Sequence, residues 1–386
     1  MEQPSRAVVL AVVSFSLLVM SASARAQARY AVTTDGDIVR LLDSRDQITV
    51  SVLTPVSNAY EMVVKGQDVI RKNFASLDAL RKSPGLNGVP LLWPYANRLD
   101  EQAFYANGTK YSFDLGLGNT GRGAIPIHGY LTNTTDWKVV EARADGNAAW
   151  ITSRLEFYRN PRYIKQFPFA HVLTMTYRLA DGMLEVRTQI ENLSHLPMPV
   201  AIGFHPYFQL TDSTREDWTL SVPARTHWKL DQRLIPTGET EPITAFLPEP
   251  RSVPLRTTAL DNVFGDLERD AQGRATVTVR GTQQQFDVIV GPNYKALVLY
   301  APLGGGRGRR GGPPAAAAGQ AAGGPAPAAA APAPTPNPPP NWVAIEPMAG
   351  ITNSMNLAQK GLYKELQSIP PGGTWQESFW LRPRGF

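Results

Sequence analysis

His171-Val172-Leu173-Thr174-Met175-Thr176-Tyr177-Arg178-Leu179 runs into Ala180-Asp181-Gly182, and Met183-Leu184-Glu185-Val186-Arg187-Thr188-Gln189-Ile190 follows. Asp-Gly between two such runs signals a β-hairpin, because both residues accept the positive φ that its tight turn needs. Working outward, further short strands are predicted at 149–158, 199–210, 218–222, 226–230, 275–280, 286–290, 296–300, 341–346 and 378–381. Residues 47–64 are rich in β-branched side chains and broken at Pro55, which predicts two more. Ile70, Phe74, Leu77 and Leu80 fall at helical spacing until Ser83-Pro84-Gly85 stops them; this is the one helix the sequence predicts. Many short strands at roughly regular spacing make the fold class all-β, a sandwich or a barrel.

The chain has 386 residues, and one large β domain can absorb most of that length. There is no cysteine, which excludes disulfides, thiolate zinc sites and cysteine nucleophiles. The five histidines (His128, His171, His195, His205, His227) show no H-x-H or H-x-x-x-H spacing that would suggest a metal site. Of the net charge of +5, residues 1–26 carry +1 and residues 304–340 carry +3, leaving +1 on the rest. The basic balance therefore sits on appendages and gives the folded part no reason to seek nucleic acid.

Residues 1–26 read as a secretory signal peptide: Arg6 in a short polar start, an apolar run from Ala7 to Met20, and Ala24-Arg25-Ala26 as an A-x-A cleavage pattern. The run is shorter than the ~20 residues a spanning helix needs; an uncleaved N-terminal anchor is the alternative, and no stable membrane insertion is expected once the leader is removed. The address is secreted or periplasmic. Residues 304–340 are Gly, Pro and Ala with three arginines, a composition that cannot bury apolar surface and is expected to be disordered. With predicted strands on either side, the segment reads as an insertion within a single domain spanning 27–386.

Five stretches offer chemistry. Gly203-Phe204-His205-Pro206-Tyr207-Phe208 holds an imidazole at a strand end among flat apolar faces suited to a sugar ring. It serves a general acid or base, or a core histidine at a β corner. In Trp93-Pro94-Tyr95-Ala96-Asn97-Arg98-Leu99, Arg98 can fork onto hydroxyls or simply meet solvent. Ile127-His128-Gly129-Tyr130 permits close backbone approach to a ligand, or is a structural turn. Leu260-Asp261-Asn262-Val263-Phe264 offers a partly enclosed carboxylate, or a turn-forming pair. Trp342-Val343-Ala344-Ile345-Glu346-Pro347-Met348 puts a carboxylate at the end of an apolar strand, where it needs a partner or a use.

Together and in this order, Asn97-Arg98, His128-Gly129, His205 to Phe208, Asp261 to Phe264 and Glu346-Pro347 (with Asn353 or Asn356 beyond) resemble the aldose 1-epimerase, or galactose mutarotase, family. The resemblance spans about residues 45 to 385. It implies a large, mostly antiparallel β-sandwich of the galactose mutarotase-like type with few helices and the sugar in a cleft on one sheet. It also implies interconversion of the α and β anomers of a free hexose with no cofactor and no metal. Residue by residue, Glu346 would be the base at the C1 hydroxyl and His205 the acid at the ring oxygen. Arg98, His128 and Asp261 would bind the substrate. His205 would need to be protonated, helped by a nearby carboxylate or carbonyl. Tyr130 departs from the second glycine frequent in the family, and its bulk would narrow the cleft or stack on the sugar. The secretory leader fits sugar uptake better than central hexose metabolism. Two other readings stay open: a non-catalytic carbohydrate-binding module, and a hexose-phosphate epimerase using Lys110 and Arg122.

Overall fold

A computed structural model of the chain describes residues 28–114, 116, 125–303 and 341–386. Strands His171–Ala180 and Met183–Asn192 pair antiparallel with Ala180 opposite Met183, so the turn between them is two residues long. Asp181 and Gly182 both take positive φ, 48° and 72°, as the hairpin requires. This hairpin joins a nine-stranded antiparallel sheet in which Met183–Asn192 also pairs with Thr374–Arg384 from the chain's end.

A second, eight-stranded sheet lies against it. Its middle strands are Ala224–Leu230, Leu260–Leu267, Ala296–Ala301 and Val343–Met348, followed by the short pieces Gly203–Phe204 and Leu91–Leu92. The two sheets interlock through aromatic side chains: Phe204 meets Phe379 at 4.9 Å and Phe208 stacks on Phe286 at 4.4 Å. A five-stranded N-terminal sheet, Tyr30–Asp35 to Gln67–Asp68, packs beside them. The architecture is all-β, with antiparallel strands and four short α-helices among the described residues.

Strand periodicity decides which side chains leave the core. Val343 and Ile345 enter the core between the sheets, so Glu346, the next residue, points to the opposite face. Leu297, Leu299 and Ala301 likewise face the core and leave Tyr300 outward. Leu260 and Phe264 face inward, and Asp261 outward. Three neighbouring strands thus deliver Asp261, Tyr300 and Glu346 to one face.

Several expectations need correction. The helix starts only at Leu77 and ends at Lys82, because Ile70 is drawn into a bridge with Phe208 and Ser76 caps the Ala79 N–H instead. Short helices also form at Pro161–Gln166, Ile243–Phe246 and Ser354–Gln359. The single strand expected at 199–210 is three fragments, Met198–Val200, Gly203–Phe204 and Tyr207–Phe208, split around His205-Pro206, where proline cannot donate to a ladder. Asp261-Asn262 lies inside a strand rather than in a turn. The segment at 304–340 and the leader at 1–26 lie outside the described residues; the strands flanking the former, Ala296–Ala301 and Val343–Met348, pair directly.

Candidate active site

His205 is placed by backbone hydrogen bonds on both sides: its N–H donates to the Pro90 carbonyl (3.3 Å), and the Pro206 carbonyl accepts from Ile345 (3.4 Å). This sets the imidazole against the neighbouring strand. Its Nε2 lies 3.1 Å from Oε1 of Glu346. The pair is enclosed, at 5% and 1% exposure, and His205 Nδ1 and Glu346 Oε2 have no hydrogen-bond partner among the described residues. Unpaired polar atoms at this depth cost free energy and mark a place where a ligand's hydroxyls are wanted.

Burial pushes the Glu346 carboxyl well above the usual carboxylate range; Asp261 adds to the rise and Arg98 opposes it. Burial pulls His205 down to about 4, with a backbone contact opposing and Arg98 adding to the fall. The anticipated carboxylate partner is present, at 3.1 Å, yet burial lowers the imidazole all the same. Burial thus biases the carboxyl towards its protonated form and the imidazole towards its neutral form.

The other three residues converge on this pair. His128 crosses His205 edge-to-face, with ring centroids 5.1 Å apart. Its loop is tied to the 93–99 loop: His128 N–H donates to the Asn97 carbonyl (2.9 Å) and Tyr130 N–H to that of Trp93 (3.0 Å). Asn97 and His128 both sit at left-handed φ, 57° and 60°, a conformation held only because the surroundings enforce it. Arg98 donates to Asn97 Oδ1 (2.9 Å) and reaches Asp261 Oδ2 at 3.3 Å. From the core side, Asn262 Oδ1 accepts from the Asp261 N–H (3.0 Å) while its amide donates to His227 Nε2 (3.0 Å). His227 Nδ1 meets Glu241 at 2.9 Å, so a partly buried hydrogen-bonded chain holds the backbone at Asp261 from behind.

The aromatic surroundings differ from expectation. Phe204 and Phe208 are core residues, and only Tyr207 of the three attends the site, stacked on His205 at 4.7 Å. Tyr300 and Trp342, which the sequence reading passed over, complete that side: Trp342 lies 5.0 Å from Tyr207 and 5.4 Å from Tyr300. Val298 pairs with Glu346, and Tyr300, two residues on, shares its face; that pairing carries no local sequence signal. Tyr130 neither narrows the site nor awaits a sugar; it is buried beside Phe157 and Tyr163 and donates its hydroxyl to the Tyr163 carbonyl (3.3 Å). Asn353 and Asn356 turn to Asp100 instead, Asn356 donating to its carboxylate at 2.8 Å. Lys110 is an exposed partner of Glu101 at 2.5 Å, and Arg122 lies outside the described residues. An open cavity of about 670 Å³ between Asp136, Lys138, Arg154 and Asn160 contains none of the five site residues.

Known proteins share the fold. A galactose mutarotase-like protein from Clostridium acetobutylicum has the same fold, with a TM-score of 0.72, 19% identity, and coverage of 90% of this chain and 95% of that one. A galactose 1-epimerase from Lactobacillus acidophilus gives a TM-score of 0.60 at 16% identity over 92% and 98% of the two chains. The uncharacterized protein YihR of Escherichia coli K12 is 23% identical over 212 residues; the match spans 55% of this chain and 64% of that protein. The family model described as aldose 1-epimerase matches residues 63–322, which takes in Arg98, His128, His205 and Asp261 and stops short of Glu346. The chain belongs to the aldose 1-epimerase family.

Proposed function

We propose that this protein interconverts the α and β anomers of a hexose, with Glu346 and His205 as its proton-transfer pair. The observation that carries the proposal is the enclosed 3.1 Å contact between Nε2 and Oε1, each group keeping one unpartnered polar atom. Anomerisation needs one proton removed and one delivered at two oxygens on the same carbon, and a one-proton pair supplies both. Shifting the shared proton to the imidazole creates carboxylate and imidazolium. Glu346 then takes the C1 hydroxyl proton while His205 protonates the ring oxygen; the C1–O5 bond breaks and C1 becomes an aldehyde. After rotation about C1–C2, O5 attacks the other face, its proton returns to His205, and Glu346 protonates O1. No net proton or electron is consumed. Arg98, His128 and Asp261 orient the hydroxyls.

A pH profile tests the pair. The working form holds one proton: it is lost in acid when a second proton binds, and in alkali when the last one leaves. The rate constant kcat/KM, corrected for spontaneous mutarotation, should follow a bell with its acid limb near His205's value of about 4 and its alkaline limb above the usual carboxylate range. Asp261 raises Glu346 and Arg98 lowers it, so Asp261→Asn should move the alkaline limb to lower pH and Arg98→Met to higher pH. Displacement of both in the same direction would sink the assignment of that limb to Glu346.

We place the enzyme outside the cytoplasm, on the strength of Arg6, the apolar run to Met20 and Ala24-Arg25-Ala26. No helix among the described residues is long and apolar enough to cross a membrane. Intact-mass measurement of the exported protein should find Gln27 at the N-terminus; a cytoplasmic product retaining residues 1–26 contradicts the address.

A further inference from the structure

Asp100 lies two residues beyond Arg98, and all of its polar groups are engaged. Its N–H donates to Asn353 Oδ1 (3.2 Å), and its carbonyl accepts from the Arg233 guanidinium (2.9 Å). One carboxylate oxygen accepts from the Asn356 amide (2.8 Å) and the other from Lys360. These contacts come from two segments remote in the chain, the helix Ser354–Gln359 with its flanks and the loop that follows Ala224–Leu230. The other side of the same stretch is tied to the His128 loop. The Asn97 carbonyl accepts from the His128 N–H (2.9 Å), Leu99 N–H donates to the Pro126 carbonyl (3.1 Å), and Arg98 forms a bridge with Ile127. The backbone of Arg98 therefore runs between two anchors.

The Asp100 anchor is held at a cost to its own surroundings. Asn353 stands at the start of the helix Ser354–Gln359, where an asparagine ordinarily accepts from the helix's own first N–H groups. It makes no such bond, and its Oδ1 is turned to Asp100 instead. Its backbone is at left-handed φ, 65°, as are Asn97 at 57° and His128 at 60° beside the proton-transfer pair. Its Nδ2 is buried without a hydrogen-bond partner among the described residues. A relaxed helix start would need none of these features. What they achieve is a fixed Asp100, and through it a fixed Arg98, whose guanidinium reaches Asp261 Oδ2 at 3.3 Å.

We propose that Asp100, held by Asn353, Asn356 and Lys360, is a positioning residue that fixes the Arg98 guanidinium beside Asp261. The inference rests on the epimerase reading of the adjoining pair and adds no covalent step: no bond forms or breaks at Asp100. A displacement of about 1 Å in a group that orients substrate can cost as much as ~100-fold in rate. A second consequence follows from charge. Arg98 lowers the Glu346 carboxyl, so a guanidinium that retreats lets that carboxyl rise. Loss of the Asp100 negative charge by itself would move it the other way.

The test follows anomer equilibration of glucose and galactose by NMR in wild type, Asp100→Ala, Asn353→Gly, Arg98→Met and the two double variants that combine Arg98→Met with each of the others. Asp100→Ala and Asn353→Gly should each lower kcat/KM about tenfold in the wild-type background. Each should lower it less than about twofold where Arg98 is already methionine, because the anchor acts only through that side chain. In both single variants the alkaline limb of the pH profile should move to higher pH. Asn353→Gly removes the acceptor of the Asp100 N–H with no change of charge, and glycine accepts the left-handed φ, so it decides the matter if Asp100→Ala fails to fold. Equal losses in both backgrounds, or an alkaline limb that stays or moves to lower pH, overturns the proposal. Failure of wild type to equilibrate either sugar defeats the epimerase reading instead. Calorimetric binding of the same sugars to the same variants then decides the anchor: a loss of affinity that vanishes beside Arg98→Met upholds it, and equal losses or absent binding reject it.

Discussion

Glu346→Gln should lower kcat for anomer equilibration by about 100- to 10,000-fold, the usual contribution of a positioned acid or base, while leaving the fold intact. The amide has the shape of the carboxyl and can still hydrogen-bond His205 Nε2, but it cannot receive the C1 hydroxyl proton. KM should change little, since Arg98, His128 and Asp261 remain. Stability should move the other way. Glu346 is raised in the folded state, so its stabilising contribution is fully present below the unfolded carboxylate value and is lost as pH rises through the folded one. His205 runs opposite: depressed to about 4, it contributes above the unfolded imidazole value, and that is lost as pH falls through about 4. Glutamine removes only the first of these dependences. The variant should therefore gain on wild type as pH is raised from 5 to 8, by about 1 kcal/mol, the gain commonly seen when a functional group is traded for stability. Thermal unfolding across pH measures this. Near wild-type turnover in Glu346→Gln refutes its role as the base.

The residues of this site were legible in the sequence because each sits in a short local pattern: a histidine before proline, a glycine after histidine, a carboxylate ending an apolar strand. Their meeting was not legible, since it depends on pairings between strands far apart in the chain. Glu346 lies beside Val298, and Asp261 opposite Tyr300, only after the sheet has formed. The same non-local pairing defeated the helix expected from Ile70, because the bridge to Phe208 outweighs four residues at helical spacing. It also removed Phe204 and Phe208 from the sugar side, since alternation along a broken strand cannot be counted through His205-Pro206. The protonation of His205 was misjudged for a different reason. A carboxylate at a strand end is legible, but the depth of burial that lowers the imidazole belongs to the whole fold.

Gly129→Ala should cost about 3 kcal/mol or more, combining ~1–2 for a left-handed φ with a comparable amount for overpacking. Gly129 sits at φ +60°, where an alanine Cβ would overlap the Trp93 carbonyl and lie 3.0 Å from the Pro94 nitrogen. Trp93 cannot easily yield. It is fully buried, donates its Nε1–H to His171 Nε2 at 3.0 Å, and its carbonyl accepts from Tyr130. His171 is itself fixed, its Nδ1 donating to the Phe169 carbonyl at 2.7 Å and its ring stacked on Phe157. The strain should therefore pass into the loop that holds His128 against His205, so the Tm should drop by roughly 4 °C and the surviving folded fraction should turn over more slowly. Gly36→Ala supplies the control. It shares φ +60° but has nothing within 4 Å of the added carbon, so it should lose only the backbone part, about 1 kcal/mol. The difference between the two variants isolates the collision with Trp93. If both cost the same, the Trp93 backbone gives way freely, and the close apposition of the two loops is not what holds His128 in the site.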